Sequence, residues 1–272
     1  MSKEKIIINE VGPRDGLQSQ AKHLSLEERV LMAKSLLASG INHMEVGSFV
    51  SSKAVPQMSG TDQVLEKLQS QHLANFSVLV PNMKGYELAV AAGAEIVAVV
   101  ASATETMNQK NINMSLEQTF EASQDIIARG RSEGKRVQAY LAVAFECPFE
   151  GKTDLDTVFD QVNALKNYGA DEIVIADTIG AANPREVNTM MNCLVADHGS
   201  SALACHFHDT RAMGLANVYA AIESGVRKFD SAIGGLGGCP FTPGAKGNVA
   251  TEDVVMLCEQ MGFNTGIDMS AL

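Results

Sequence analysis

The chain has 272 residues, 46% of them hydrophobic and 19% charged, a composition suited to one large globular domain with a sizeable core. Its formal net charge of −11, with no clustered stripe of Lys and Arg, argues against a nucleic-acid surface, and no apolar run approaches the roughly 20 residues of a membrane span. The first residues lack the apolar region of a secretory signal, and the five cysteines (Cys147, Cys193, Cys205, Cys239, Cys258) are odd in number with no CxxC pair, so reduced thiols and a cytoplasmic location are expected.

Along the chain, short β-branched runs alternate with longer helical patterns, the rhythm of repeated βα units over a parallel sheet. Eight such runs are expected, at residues 6–11, 42–46, 76–80, 96–100, 137–143, 172–176, 203–207 and 228–233. Helices are expected between them, among others at 25–39 and 115–129, where Ser25 with Glu28 and Ser115 with Gln118 match capping boxes. Gly40, Gly93, Gly169 and Gly225 each close a helical pattern, where a left-handed residue is wanted. No linker divides the chain. The expected architecture is therefore an α/β fold, a single (β/α)8 TIM barrel over residues 1–272. A doubly wound open sheet is the alternative, and the absence of GxGxxG after the first run counts against its dinucleotide-binding form.

In such a barrel, function sits on the loops at the C-terminal ends of the strands. The first run ends in Arg14 and Asp15, a cation beside a carboxylate. The second contains Glu45, a carboxylate in an otherwise apolar strand that must be paired or neutralised, and Arg14 is the expected partner. The seventh ends in Cys205-His206-Phe207-His208-Asp209. Histidines at i and i+2 of a strand project to one side, so both imidazoles can converge on one ion. Adding Asp15 and an amide oxygen gives a mixed nitrogen and oxygen set, which suits Mg²⁺ or Mn²⁺, with Zn²⁺ still open by ligand type. After the eighth run, the glycine-rich stretch from Gly234 carries Cys239. A cysteine there, facing a cationic site, would have a lowered pKa and could move protons, whereas Cys147, Cys193 and Cys258 read as packing residues.

Several segments together resemble the 3-hydroxy-3-methylglutaryl-CoA lyase family: Gly12-Pro-Arg-Asp-Gly-Leu-Gln18, Ser48-Phe-Val-Ser51, Val55-Pro-Gln-Met58, Asn111-Ile-Asn113, Asp177-Thr-Ile-Gly180, His206-Phe-His-Asp-Thr210 and Gly235-Leu-Gly-Gly-Cys-Pro240. The resemblance implies a TIM-barrel lyase that splits an acyl-CoA into acetoacetate and acetyl-CoA. It implies a divalent cation held by Asp15, His206, His208 and Asn248. By the same resemblance Arg14 steadies the developing enolate, Glu45 supports Arg14, His206 serves catalysis as well as the metal, and Cys239 is the acid/base group. A homodimer is compatible with it. The chain departs from the family's usual pattern at Ser19-Gln20, at Ser52 and Ala54, and at Glu146, where a glycine beside the substrate channel is usual; it also lacks the C-terminal extension common in the family. Those changes leave the metal set intact and touch the pocket walls. A lyase for a related acyl-CoA such as citramalyl-CoA, a citramalate or isopropylmalate type of synthase, and a catalytically silent binding barrel therefore stay open.

Overall fold

A computed structural model describes residues 3–69, 74–238 and 246–272. The strands are β1 (Ile7–Glu10), β2 (His43–Ser48), β3 (Asn75–Leu79), β4 (Ile96–Ser102), β5 (Arg136–Ala142), β6 (Glu146–Cys147), β7 (Gly151–Lys152), β8 (Glu172–Asp177), β9 (Leu203–Phe207) and β10 (Lys228–Ser231). Eight of them close into a parallel barrel in the order β1-β10-β9-β8-β5-β4-β3-β2, while β6 and β7 pair as a small antiparallel hairpin outside it. All eight expected strands are present, with ends within two residues of those read from the sequence. The hairpin was not anticipated, because two-residue strands carry no periodicity to read.

The helix signals act as local chemistry predicts. Ser25 and Ser115 each accept a backbone N–H three residues on, and Glu28 and Gln118 reach back to the cap's own N–H, so both expected capping boxes form. Helices Leu26–Ala38 and Leu116–Ser132 follow from them. A third box, Asn183 with Glu186, opens helix Pro184–His198. Gly40, Gly93, Gly169 and Gly225 take φ values of 98°, 86°, 100° and 96°, the left-handed turn that stops a helix and releases the chain into the next strand.

Most of the core lies in two places, beside a small cluster of Ile179 and Ala181. The larger part fills the space between strands and helices and includes Phe207 and Phe229, each 1% exposed, whose burial contributes about 2 kcal/mol apiece. The smaller part plugs the barrel itself with Ala98, Tyr140, Val174 and Ala204. Because that plug is short, both ends of the barrel are left to polar side chains. At the C-terminal end these are Arg14, Asp15, His206 and His208, which line one cavity of 270 Å³.

Candidate active site

The chain leaves β1 through Gly12–Gly16, a single turn of π-helical hydrogen bonding. Glu10, wholly buried, shapes it. One of its carboxylate oxygens accepts the Gly12 and Ile233 N–H groups at 2.7 and 3.0 Å, and the other accepts the Thr251 hydroxyl at 2.6 Å. A Cβ at position 12 would stand 2.5 Å from that carboxylate, so the turn requires glycine there. Burial lifts the Glu10 carboxyl to about 7 against these hydrogen bonds. Glu10 thus ties the end of β1 to the segment after β10 and sets the platform on which Arg14 and Asp15 project.

Arg14 is only 6% exposed. Its Nε donates to Glu45 Oε2 and its Nη1 donates to Asp15 Oδ1 at 2.8 Å, so the expected Arg14–Glu45 pair is formed and extends to Asp15. Burial works against the guanidinium charge, but Glu45 and Asp15 outweigh it and push its pKa above the ordinary value. Glu45 is lifted to about 7 by its own burial, with Arg14 the main opposing influence, and its Oε1 has no hydrogen-bond partner among the described residues. A buried cation anchored on one side and open to a cavity on the other is suited to receiving a developing negative charge.

His206 and His208 do lie on one side of their strand's end. Their Nε2 atoms are 3.1 Å apart, and with an Asp15 oxygen the three ligand atoms all fall within 4.8 Å of one another. Asn248 reaches the same place by a backbone bridge to His208. Its Nδ2 donates to Asp15 Oδ2 at 2.8 Å and to the Leu236 carbonyl at 2.9 Å, while its buried Oδ1 has no partner among the described residues. Burial alone would raise the Asp15 carboxyl; Arg14 and the two imidazoles outweigh it and hold it at about 2. The set therefore presents a carboxylate and two imidazoles at mutual distances that one cation can bridge, beside an amide oxygen left unsatisfied. These residues fit a divalent ion.

Sequence reasoning missed the group that orients this set. Asp230 of β10, 3% exposed, faces His206 Nδ1 at 3.0 Å and accepts the Tyr140 hydroxyl and the Asn9 amide, both at 2.8 Å. A carboxylate against Nδ1 fixes that nitrogen as the protonated one and turns the Nε2 lone pair toward Asp15 and His208. Burial opposes a proton on His206, but Asp230 outweighs it and raises the pKa, whereas burial and the neighbouring His206 lower His208 to about 4. The signal was available: the argument that flagged Glu45, a carboxylate inside a strand, applies equally to Glu10 and Asp230. We expect Asp230→Asn to keep the fold and lower turnover by about 10–100-fold, because the amide cannot accept all three donors. A metal-loaded variant within twofold of the parent rate would remove Asp230 from this role.

The apolar part of the cavity's lining includes Val80, Val100, Met107 and Ile112. Gly238 also lines it, and Cys239, the next residue, lies outside the described residues. Of the cysteines read as packing, Cys147 and Cys258 are buried, but Cys193 is exposed on helix Pro184–His198; an apolar neighbourhood in sequence did not say which way its helix turned. Glu146 sits on the hairpin and pairs with Arg211 at 3.1 Å. Val143, at the end of β5, holds φ at 51°, unusual for a β-branched residue, and is pinned there by the hydroxyls of Thr178 and Thr153.

The family model described as HMGL-like matches residues 5–272. A hydroxymethylglutaryl-CoA lyase of Pseudomonas mevalonii is 42% identical over 269 residues, covering 99% of this chain and 89% of its own length. A 3-hydroxy-3-isohexenylglutaryl-CoA/hydroxymethylglutaryl-CoA lyase of Pseudomonas aeruginosa is 38% identical, with coverage of 99% and 90%. The structure of an HMG-CoA lyase from Acinetobacter baumannii with coenzyme A and 3-methylmalate superimposes with a TM-score of 0.94 at 38% identity, covering 98% of this chain and 87% of that one. By near-complete coverage in sequence and in fold, the chain belongs to the HMGL-like family.

Proposed function

We propose that this chain is a carbon–carbon lyase that cleaves 3-hydroxy-3-methylglutaryl-CoA to acetoacetate and acetyl-CoA. The observation that carries the reading is the convergence of Asp15, His206 and His208 beside Arg14 in one cavity at the C-terminal end of the barrel. The relatives' names support the same reaction, and the Acinetobacter baumannii structure holds coenzyme A.

Asp15, His206, His208 and Asn248 would hold the cation, and their mixed nitrogen and oxygen donors suit Mg²⁺ or Mn²⁺, with Zn²⁺ compatible in ligand type. When bound, that ion supplies Lewis acidity to the substrate's tertiary hydroxyl. The hydroxyl proton passes to a water molecule at the site, C3–O becomes the ketone of acetoacetate, and the electrons of the C2–C3 bond move onto the thioester. Arg14, held by Glu45, stabilises the resulting enolate oxygen. A proton delivered to C2 by Cys239 then completes acetyl-CoA. The apolar wall of Val80, Val100, Met107 and Ile112 excludes water from the carbanion-like carbon.

Release of acetyl-CoA from 3-hydroxy-3-methylglutaryl-CoA by the metal-loaded chain is the direct test. Because one relative is named for a 3-isohexenyl substrate, the panel includes longer 3-alkyl homologues and citramalyl-CoA. Thiol release from acetyl-CoA with pyruvate or 2-oxoisovalerate, and none in the lyase direction, would instead support a synthase. No turnover in either direction and no divalent ion bound would leave a silent barrel. Cys239→Ser is expected to keep metal and lose about 10²-fold in turnover, the lower part of the general acid–base range. A serine variant at more than half the parent rate would leave proton delivery to the histidines or water. Among the described residues no helix is long and apolar enough to cross a membrane, in keeping with an acyl-CoA substrate met in water.

A further inference from the structure

Helix Leu26–Ala38 carries a buried cation that the lyase chemistry does not use. Arg29 is 2% exposed and forms no ion pair among the described residues. Its guanidinium is met by neutral acceptors. Nη1 donates to the Ser59 carbonyl at 2.8 Å, and Nη2 donates to the Val46 carbonyl at 3.2 Å and to the Thr61 hydroxyl at 3.3 Å. Nε has no partner among the described residues. A buried charge without a counter-charge is costly, and an apolar side chain of similar length would fill the same space without that cost. The reason for an arginine here lies in the carbonyls it holds.

The Val46 carbonyl belongs to a fault in the barrel. β2 pairs with β3 as Glu45 with Ser77 and then Gly47 with Val78, so Val46 is an extra residue and the strand bulges there. Val46 packs in the outer core, and a Cβ on Gly47 would stand 2.4 Å from Thr61 Oγ1 and 3.0 Å from Arg29 Nη2. Two successive residues therefore face the helices, where regular alternation allows one. Glu45, just before them, faces inward, where its carboxylate takes Arg14 Nε. The Thr61 hydroxyl also accepts the Ser48 N–H at 3.3 Å and donates to the Met58 carbonyl at 2.8 Å. Arg29 and Thr61 thus clasp the bulge from outside the barrel.

We propose that Arg29 is a positioning residue for the lyase reaction: by holding the bulged Val46 carbonyl it aims Glu45 at Arg14, and so sets the guanidinium that receives the enolate charge. A bulge beside an active site is a recurrent way of re-aiming a side chain. The inference rests on the role proposed for Arg14.

The test is the steady-state kinetics of metal-loaded Arg29→Met, alone and combined with Arg14→Met. Alone, kcat should fall about 10–100-fold with KM changed by less than about threefold. On Arg14→Met the further loss should be less than about twofold, because the group being aimed is gone. An equal loss in both backgrounds would make Arg29 merely structural, and a single variant within about twofold of the parent would leave it no role; either overturns the proposal. Arg29→Lys keeps the charge but has one nitrogen for three acceptors. It should show the same split at about three- to tenfold, and it carries the test if Arg29→Met does not fold. A crystal structure of the variant keeps this inference separate from the lyase reading. Arg14 Nε should have left Glu45 Oε2 while the barrel strands superimpose on the parent's, and an intact Arg14–Glu45 contact overturns the proposal. A parent chain that turns over no acyl-CoA fails the lyase reading instead, and the same structure still decides whether Arg29 aims Glu45.

Discussion

Arg14→Met is expected to lower kcat by about 10³-fold or more while KM changes by less than about tenfold. The guanidinium is held in place before substrate arrives, by Glu45 from one side and Asp15 from the other, so it needs no reorganisation when charge appears on the thioester oxygen. That charge is small in the ground state and large in the transition state, which is why the loss should fall on turnover and not on binding. Methionine matches the length of the side chain but leaves the buried Glu45 without its cation, so that carboxyl would take up a proton. Initial rates across substrate concentration, with bound metal measured on the same sample, separate the cases. A loss confined to KM would contradict the role in the transition state, and a loss that follows missing metal would point to a collapsed site.

Asp15→Asn is expected to be at least as damaging, by about 10³–10⁴-fold in turnover, and through the metal. Among the cation-facing groups, two are imidazoles and Asp15 brings the negative charge. An asparagine is close in size and can still hydrogen-bond Asn248, so the fold should remain, but a neutral amide gives up most of the attraction for a divalent ion. Elemental analysis after exhaustive exchange should find the parent loaded and the variant empty or weakly occupied, with unchanged secondary structure. Full occupancy together with a rate within tenfold of the parent would remove Asp15 from the ligand set. This outcome is independent of the Arg14 test, because Arg14→Met retains the carboxylate and both histidines.

One departure at the rim has a local explanation. Glu146 stands where a glycine is usual, and its carboxylate is taken up by Arg211 on the loop after β9. The substituted charge is thus balanced between two loops and does not enter the polar wall formed by Arg14, Asp15 and the histidines. Val80, Val100, Met107 and Ile112 line the same cavity, and a change of volume there is expected to alter substrate choice.

The barrel was legible in the sequence because its signals are local. β-branched runs, Ser25 and Ser115 caps and left-handed glycines each act within a few residues, and eight repeats of that pattern admit few architectures. The two histidines were legible for the same reason, since a spacing of two on a strand determines the side they face. What only the tertiary structure decided is which distant strands meet. β9 runs between β8 and β10, so His206 falls beside Asp230, and closure of β10 onto β1 carries Asn9 to the other oxygen of that carboxylate and Glu10 to Ile233 and Thr251. A strand's pattern states which face is buried and not which neighbour fills it, so a buried carboxylate announces that it has a partner while the barrel's register chooses the partner.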